Sequence, residues 1–407
     1  MFPNSLNLVQ VHGTVHLMSN SLKKILMLRI TGFVLSLCFF LSACTTNGGM
    51  LRTEEFDGYR IVGYLFGSKK FDATKIRADK MTHINYAFAE IDSNGRVASY
   101  LEHDPANFAV LNYLKEQNPD LKILLSIGGW GKSGGFSDAA LTEKSRAIFA
   151  RSAIDFMKVY ELDGIDIDWE YPGQLGNNNP YRAEDKQNFT LLLKAIRERL
   201  DLETLSGRRQ KNPYLLTIAS AANQRFLDHT EMDKAIQYLD FVNIMTYDFA
   251  GSWMDTARHH ANLFPSTAGT GSRIDVVTAI QQHVDAGIPL EKIVMGVPFY
   301  GRYWSDVHPE SNGLNQPASG QKGSYPYHTI AQELVNQQGF FRYWEEESRS
   351  HYLWNDSTRT FVTYEDPRSL RVKTEVVKEN GLGGIMFWQY DSDTTGALLD
   401  VLYEELR

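Results

Sequence analysis

Asp166, Asp168 and Glu170 stand two residues apart, with Ile167 and Trp169 between them and Ile165 just before. A period of two is how a β-strand is written, so the three carboxyl groups share one face and the apolar side chains the other. Same-face neighbours on a strand are roughly 6.6 Å apart along it, which puts each acid beside a like charge. Charges that close cannot all ionise freely, and at least one proton is held near neutral pH. A carboxyl of raised pKa next to an ionised one is what acid catalysis of bond cleavage requires. Two plainer readings stand beside it: an acidic strand face wetted by solvent, and a site for a hard cation such as calcium or magnesium. No EF-hand spacing or further acidic cluster accompanies the stretch, and no metal is expected.

Such a strand needs a frame. Short apolar runs alternate with amphipathic stretches from about residue 58 onward. The expected strands are Arg60–Leu65, Thr82–Phe88, Lys122–Gly128, Asp163–Trp169, Tyr214–Ala221, Phe241–Tyr247, Lys292–Phe299 and Gly384–Gln389. Between them Phe149, Ala153, Phe156 and Tyr160 recur at helical spacing, as do Phe189, Leu192, Leu193, Ile196 and Leu200. Gly287 and Gly381 are placed to end helices, and Pro367 to open one. Eight alternations of strand and helix predict an α/β chain with parallel strands closed into a (β/α)8 TIM barrel. An open doubly wound sheet is the alternative, but no glycine-rich nucleotide fingerprint follows the first strand. The interval 303–362 is too long for one crossover and is predicted to be a small α+β insertion. It holds a short helical piece (Thr329–Gln337) and a hairpin (Tyr352–Trp354 with Phe361–Tyr364). The barrel then comprises 58–302 and 363–407.

The 407 residues, 43 % apolar and 12 % aromatic, suffice for a large core. A formal charge of −8 argues against nucleic acid, whose partners normally show basic excess. The cysteines fall at 38 and 44 only, so the folded part has no disulfide. Lys23, Lys24 and Arg29 precede an apolar run from Ile30 to Ser42 that suits a secretory signal rather than a membrane span. It ends in Leu41-Ser42-Ala43-Cys44, which resembles a bacterial lipobox. That resemblance implies cleavage of residues 1–43, lipidation of Cys44 and a tether over 44–57. Export and anchoring to a bacterial membrane follow as expectations, the outer one where two exist.

Barrel chemistry sits at the carboxyl ends of the strands, and the notable residues fall there. Glu170 ends the fourth strand, Trp130 follows the third, Tyr247 and Asp248 end the sixth, and Trp388 ends the eighth. At this point the chain resembles family 18 glycoside hydrolases, the chitinase family. Asp163, Asp166, Asp168 and Glu170 match its DxxDxDxE signature. Ser126-Ile127-Gly128-Gly129 matches SxGG, and Met245-Thr246-Tyr247-Asp248 matches MxYD. Gly296 to Arg302 and the Trp388 segment resemble the family's strands seven and eight, and the likeness runs from about Arg60 to Asp393.

The resemblance implies a catalytic mechanism without an enzyme nucleophile. Glu170 would be general acid and then base, and the substrate's N-acetyl oxygen would attack the anomeric carbon to give an oxazolinium. Asp168 would hold the acetamido N–H, Tyr247 the acetamido oxygen, and Asp248 the distorted sugar. Asp166 would share a proton with Asp168, supported by Ser126 and Tyr64. Substrate contacts would come from Trp388, Met245, Trp130, Trp253, Tyr64 and Arg302. Asp163, of opposite parity, is structural. No cofactor is implied, the partner is a GlcNAc-containing polysaccharide or oligosaccharide, and a monomer is expected. The rival readings are an endo-N-acetylglucosaminidase acting on N-glycan or cell-wall glycan, and a non-catalytic lectin. The intact Glu170 disfavours the lectin.

Overall fold

The computed structural model describes residues 58–207, 212–266 and 274–407. The signal, Cys44 and the whole tether lie outside the described residues. Among those described, no helix is long and apolar enough to cross a membrane.

Eight parallel strands form a closed barrel. The first seven are β1 (Arg60–Phe66), β2 (His83–Ile91), β3 (Lys122–Gly128), β4 (Gly164–Asp168), β5 (Leu215–Ala221), β6 (Phe241–Met245) and β7 (Ile293–Pro298). Between them run α1 (Asp104–Gln117), α2 (Glu143–Val159), α3 (Asp185–Ser206) and α4 (Val276–Asp285). Each predicted strand is present, Lys122–Gly128 with the expected bounds and the others with ends moved by at most three residues. Strand six stops at Met245, and Asp248 turns away from the ladder with φ 58°. β1 enters at Arg60 on the N-terminal rim, opposite the rim where the acids lie.

Strand alternation sorts the core into two shells. On β1, Ile61 and Leu65 pack outward against the helical layer, while Val62 and Tyr64 join Phe241, Val294 and Met386 inside the barrel. α3 buries Phe189, Leu192, Leu193, Ile196 and Leu200, the face its spacing predicted. α2 starts at a capping box in which Thr142 accepts from the Ser145 N–H and Ser145 Oγ accepts from the Thr142 N–H.

After Pro298 the chain leaves the barrel and builds a second, antiparallel sheet. It comprises β8 (Tyr300–Trp304), β9 (Lys322–Pro326), β10 (Phe340–Glu345), β11 (Ser350–Asn355) and β12 (Thr360–Tyr364). The expected hairpin is β11 with β12, Tyr352 opposite Thr363 and Trp354 opposite Phe361. This sheet starts at Tyr300 rather than Tyr303 and continues to Tyr364. An apolar run crosses Pro298 without a break, so the alternation hides the point where the chain changes sheets. The helical piece runs from Tyr327 to Leu334, earlier than expected, and widens in its second half. Trp304, Val307, Leu314, Trp354 and Phe361 give the insertion a core of its own. The chain then returns through α5 (Pro367–Asn380), capped by Asp366 and ended by Gly381 at φ 65°. It closes the barrel with β13 (Gly384–Trp388) and ends in α6 (Ala397–Leu406).

Candidate active site

The ends of β3 and β4 are locked together before any chemistry is possible. Gly128 has φ 109°, and a Cβ there would lie 2.2 Å from the Asp168 carbonyl oxygen. Only glycine allows that approach. The Gly129 N–H donates to the same carbonyl at 2.8 Å. Ser133 Oγ lies 2.9 Å from Gly129 O and 3.0 Å from Asp168 O, and it accepts from the Glu170 N–H at 3.0 Å. Asn179 donates to the Glu170 carbonyl at 2.9 Å. The backbone carrying Glu170 is therefore fixed from both sides.

Asp166 is the buried foundation. Its Oδ2 accepts from Tyr64 at 2.7 Å and Ser126 at 2.8 Å, and its Oδ1 from Thr217 at 2.6 Å and Asn243 at 3.4 Å. Four donors fill a carboxylate's acceptor capacity. Burial raises the Asp166 pKa, and these hydrogen bonds pull it back. No hydrogen bond joins Asp166 to Asp168 here, so the expected shared proton is replaced by side-chain donors from four strands. Tyr64 supports Asp166 as expected, but at 2 % exposure it does not reach the cleft as the substrate contact also expected of it.

Asp168 is buried, and its Oδ1 has no hydrogen-bond partner. Burial, then the charges of Glu170 and Asp166, hold its carboxyl well above the usual range. Burial also raises Glu170; the hydroxyl of Tyr171 lowers it, the charge of Asp248 raises it again, and it settles at about 7. A proton is thus retained at the top of the stack at neutral pH. Tyr247 keeps its own proton, because burial and then Asp168, Asp248 and Glu170 push its pKa up. The hydroxyl finds only the Met386 thioether, at 3.9 Å, a weak acceptor.

Asp248 has the opposite character. Burial favours its neutral form, but the contact from His260 and the hydrogen bonds and charge of Arg302 outweigh burial and leave it at about 2. Arg302 grips it with Nε on Oδ1 at 2.9 Å and Nη2 on Oδ2 at 2.6 Å, and Tyr300 donates to Oδ1 at 2.8 Å. Arg302 was grouped with the substrate contacts. Its guanidinium is committed to Asp248 and lies over the rings of Trp253 and Tyr300, 5.3 and 5.1 Å from their centres.

Trp388 stacks on Phe88 at 5.4 Å and 19° and meets Tyr64, with Met245 and Tyr247 against the same cluster. Trp130 and Trp253 leave 53 % and 61 % of their surfaces exposed. Asp163 binds the Ile123 N–H and Lys115 away from this group, as its parity implied. Thr217, Asn243, Ser133, Tyr171, Tyr300 and His260 were missed. The available signal was a polar residue at an inward position of a strand, which Thr217 and Asn243 both satisfy.

Carboxyl groups of unequal proton affinity, under exposed tryptophans at the C-terminal mouth of a (β/α)8 barrel, define a barrel glycosidase. Among the described residues, no group of His, Cys, Asp and Glu is placed to hold a metal ion. Residues 60–393 match the family described as Glycosyl hydrolases family 18, and the chain belongs to it as a chitinase-type glycosidase. The chain is 36 % identical to Chitinase A1 of Niallia circulans over 92 % of its own length, and spans 62 % of that protein. It is 32 % identical to Chitinase B of Serratia marcescens, over 81 % of this chain and 77 % of that one. Among solved structures, a family 18 N-acetylglucosaminidase from Paenibacillus barengoltzii superposes with a TM-score of 0.79 at 41 % identity. That match covers 86 % of this chain and all of the other.

Proposed function

We propose that the protein hydrolyses β-1,4 bonds of chitin or chito-oligosaccharides with retention, using the substrate's N-acetyl group as nucleophile. One observation carries this reading: two complementary groups are left without strong partners side by side in the MxYD and DxxDxDxE motifs. Asp168 Oδ1 is an acceptor in want of a donor, and the Tyr247 hydroxyl a donor in want of an acceptor. An acetamido group supplies both, its N–H to Asp168 and its oxygen to Tyr247. Held so, that oxygen is aimed at the anomeric carbon, which supplies the proximity that nucleophilic attack needs. Glu170 donates its proton to the leaving glycosidic oxygen and then, as carboxylate, takes one from water as the oxazolinium opens. Asp168 offsets the positive charge of that intermediate, and Asp248 holds the sugar from the other side. Trp388 and Met245 floor the reacting sugar, and Trp130 and Trp253 offer faces for stacking.

The first test is a product analysis on GlcNAc hexamer beside its fully deacetylated counterpart. Cleavage of the acetylated chain alone is expected, and equal cleavage of both overturns substrate assistance. Glu170→Gln is expected to lower kcat by about 10³-fold or more while binding persists. A second reading, removal of single GlcNAc units, is favoured by the likeness to the Paenibacillus N-acetylglucosaminidase; monomer as the first product would select it. Export and anchoring through lipidated Cys44 complete the proposal. Palmitate labelling that survives Cys44→Ala overturns that part.

A further inference from the structure

His260 touches the site without belonging to any of the motifs above. Its ring is buried to 1 % exposure, packs on Tyr300 at 5.4 Å and 59°, and places Nδ1 3.6 Å from Asp248 Oδ1. That distance is just beyond hydrogen-bond reach. Neither ring nitrogen has another hydrogen-bond partner. The His260 carbonyl accepts from the Phe249 N–H at 3.0 Å, so the backbone beside Asp248 is tied to the same residue. Oδ1 already takes two donors, from Tyr300 and Arg302, which fills its two lone pairs. The charged and titratable groups acting on His260 are Asp248 on the β6 side, Arg302 on β8, and Glu365 ahead of α5. Burial favours the neutral imidazole, Asp248 and Glu365 the charged one, and Arg302 the neutral one. The balance lies below the ordinary histidine range.

We propose that His260 is a positioning residue for Asp248: neutral, it backs the carboxylate in the pose that Arg302 and Tyr300 set, and protonated, it pulls the carboxylate out of that pose. A neutral ring with its N–H on Nε2 meets Oδ1 at 3.6 Å by contact alone and competes for none of its lone pairs. A protonated ring is a charged donor, and a charge-assisted hydrogen bond closes to roughly 2.8 Å. Closing it must displace one of the two donors already on Oδ1. Asp248 then turns, and the sugar it holds is held less well. The inference rests on the reading that Asp248 contacts the sugar, and it adds an acid-side loss of affinity that Glu170 does not cause.

The experiment uses Glu170→Gln as background, which removes turnover and the titration of Glu170 together. Binding of GlcNAc hexamer is measured calorimetrically from pH 7 to about pH 4.5 in that protein and in its His260→Gln and His260→Leu derivatives. The background is expected to lose about tenfold more affinity toward acid than either derivative, the worth of one charge-assisted hydrogen bond. Gln keeps the polar contact but cannot charge, so it serves where Leu fails to fold. Parallel pH curves for background and derivatives overturn the positioning role. Failure of the background to bind hexamer at any pH overturns the substrate reading instead, and this inference with it.

Discussion

Two carboxyl groups of the site, Glu170 and Asp248, stand on opposite sides of the usual range, and each consequence can be measured. Glu170 must be protonated to act as acid, so kcat/KM is expected to fall as pH rises through about 7. A profile flat to pH 9 would remove it from that role. The same shift affects stability. Folded, Glu170 holds its proton up to about 7, whereas its ordinary value is 4.5. The native state therefore binds more protons than the unfolded chain in that interval and loses stability as pH rises through it. Glu170→Gln escapes the loss and is expected to be more stable by about 3 kcal/mol above pH 7, with no gain below pH 4.5. Thermal melts at the two pH values check this. The carboxyl stack was legible because a period of two is visible in five consecutive residues. The donors that satisfy Asp166 were not all legible, since Tyr64, Ser126, Thr217 and Asn243 come from four strands. Their convergence on one carboxylate depends on barrel register, which no single segment carries.

Between elements the decisive contact is the seam of β3 and β4. Gly128→Ala would drive a methyl group to 2.2 Å from the Asp168 carbonyl at a backbone φ of 109°. A loss of about 3 kcal/mol of stability is expected, with a larger loss of activity because Glu170 hangs from the same seam. Denaturant midpoints and turnover measured together separate the two effects. Register supplies a gentler probe, since Ser126, Asp166 and Thr217 lie in one row across β3, β4 and β5. Thr217→Val keeps shape and removes one donor from the buried carboxylate, at an expected cost of about 2 kcal/mol. The barrel strands could be read because both kinds of periodicity are strong there. The beginning of the insertion could not, because Tyr300 to Trp304 keep alternating after the chain has left the barrel. What changes at Pro298 is the partner strand, and a partner is not written locally.

At the scale of the molecule, the second sheet is fastened to the barrel by buried charge. Lys373 of α5 pairs with Glu365, just past β12, and donates to the Ala261 carbonyl at 2.7 Å. Removing one partner strands a charge in the interior, so Lys373→Met is expected to cost about 3 kcal/mol. Adding Glu365→Leu should recover most of it, and a double-mutant cycle reads the coupling. One last feature concerns where the chain arrives. β1 begins at Arg60 on the rim opposite the mouth, so a leash through Cys44 would pull from behind the enzyme. The segment from Cys44 to Gly58 can stretch at most about 50 Å. Cleavage would then be confined to the glycan lying within that reach of the anchoring surface.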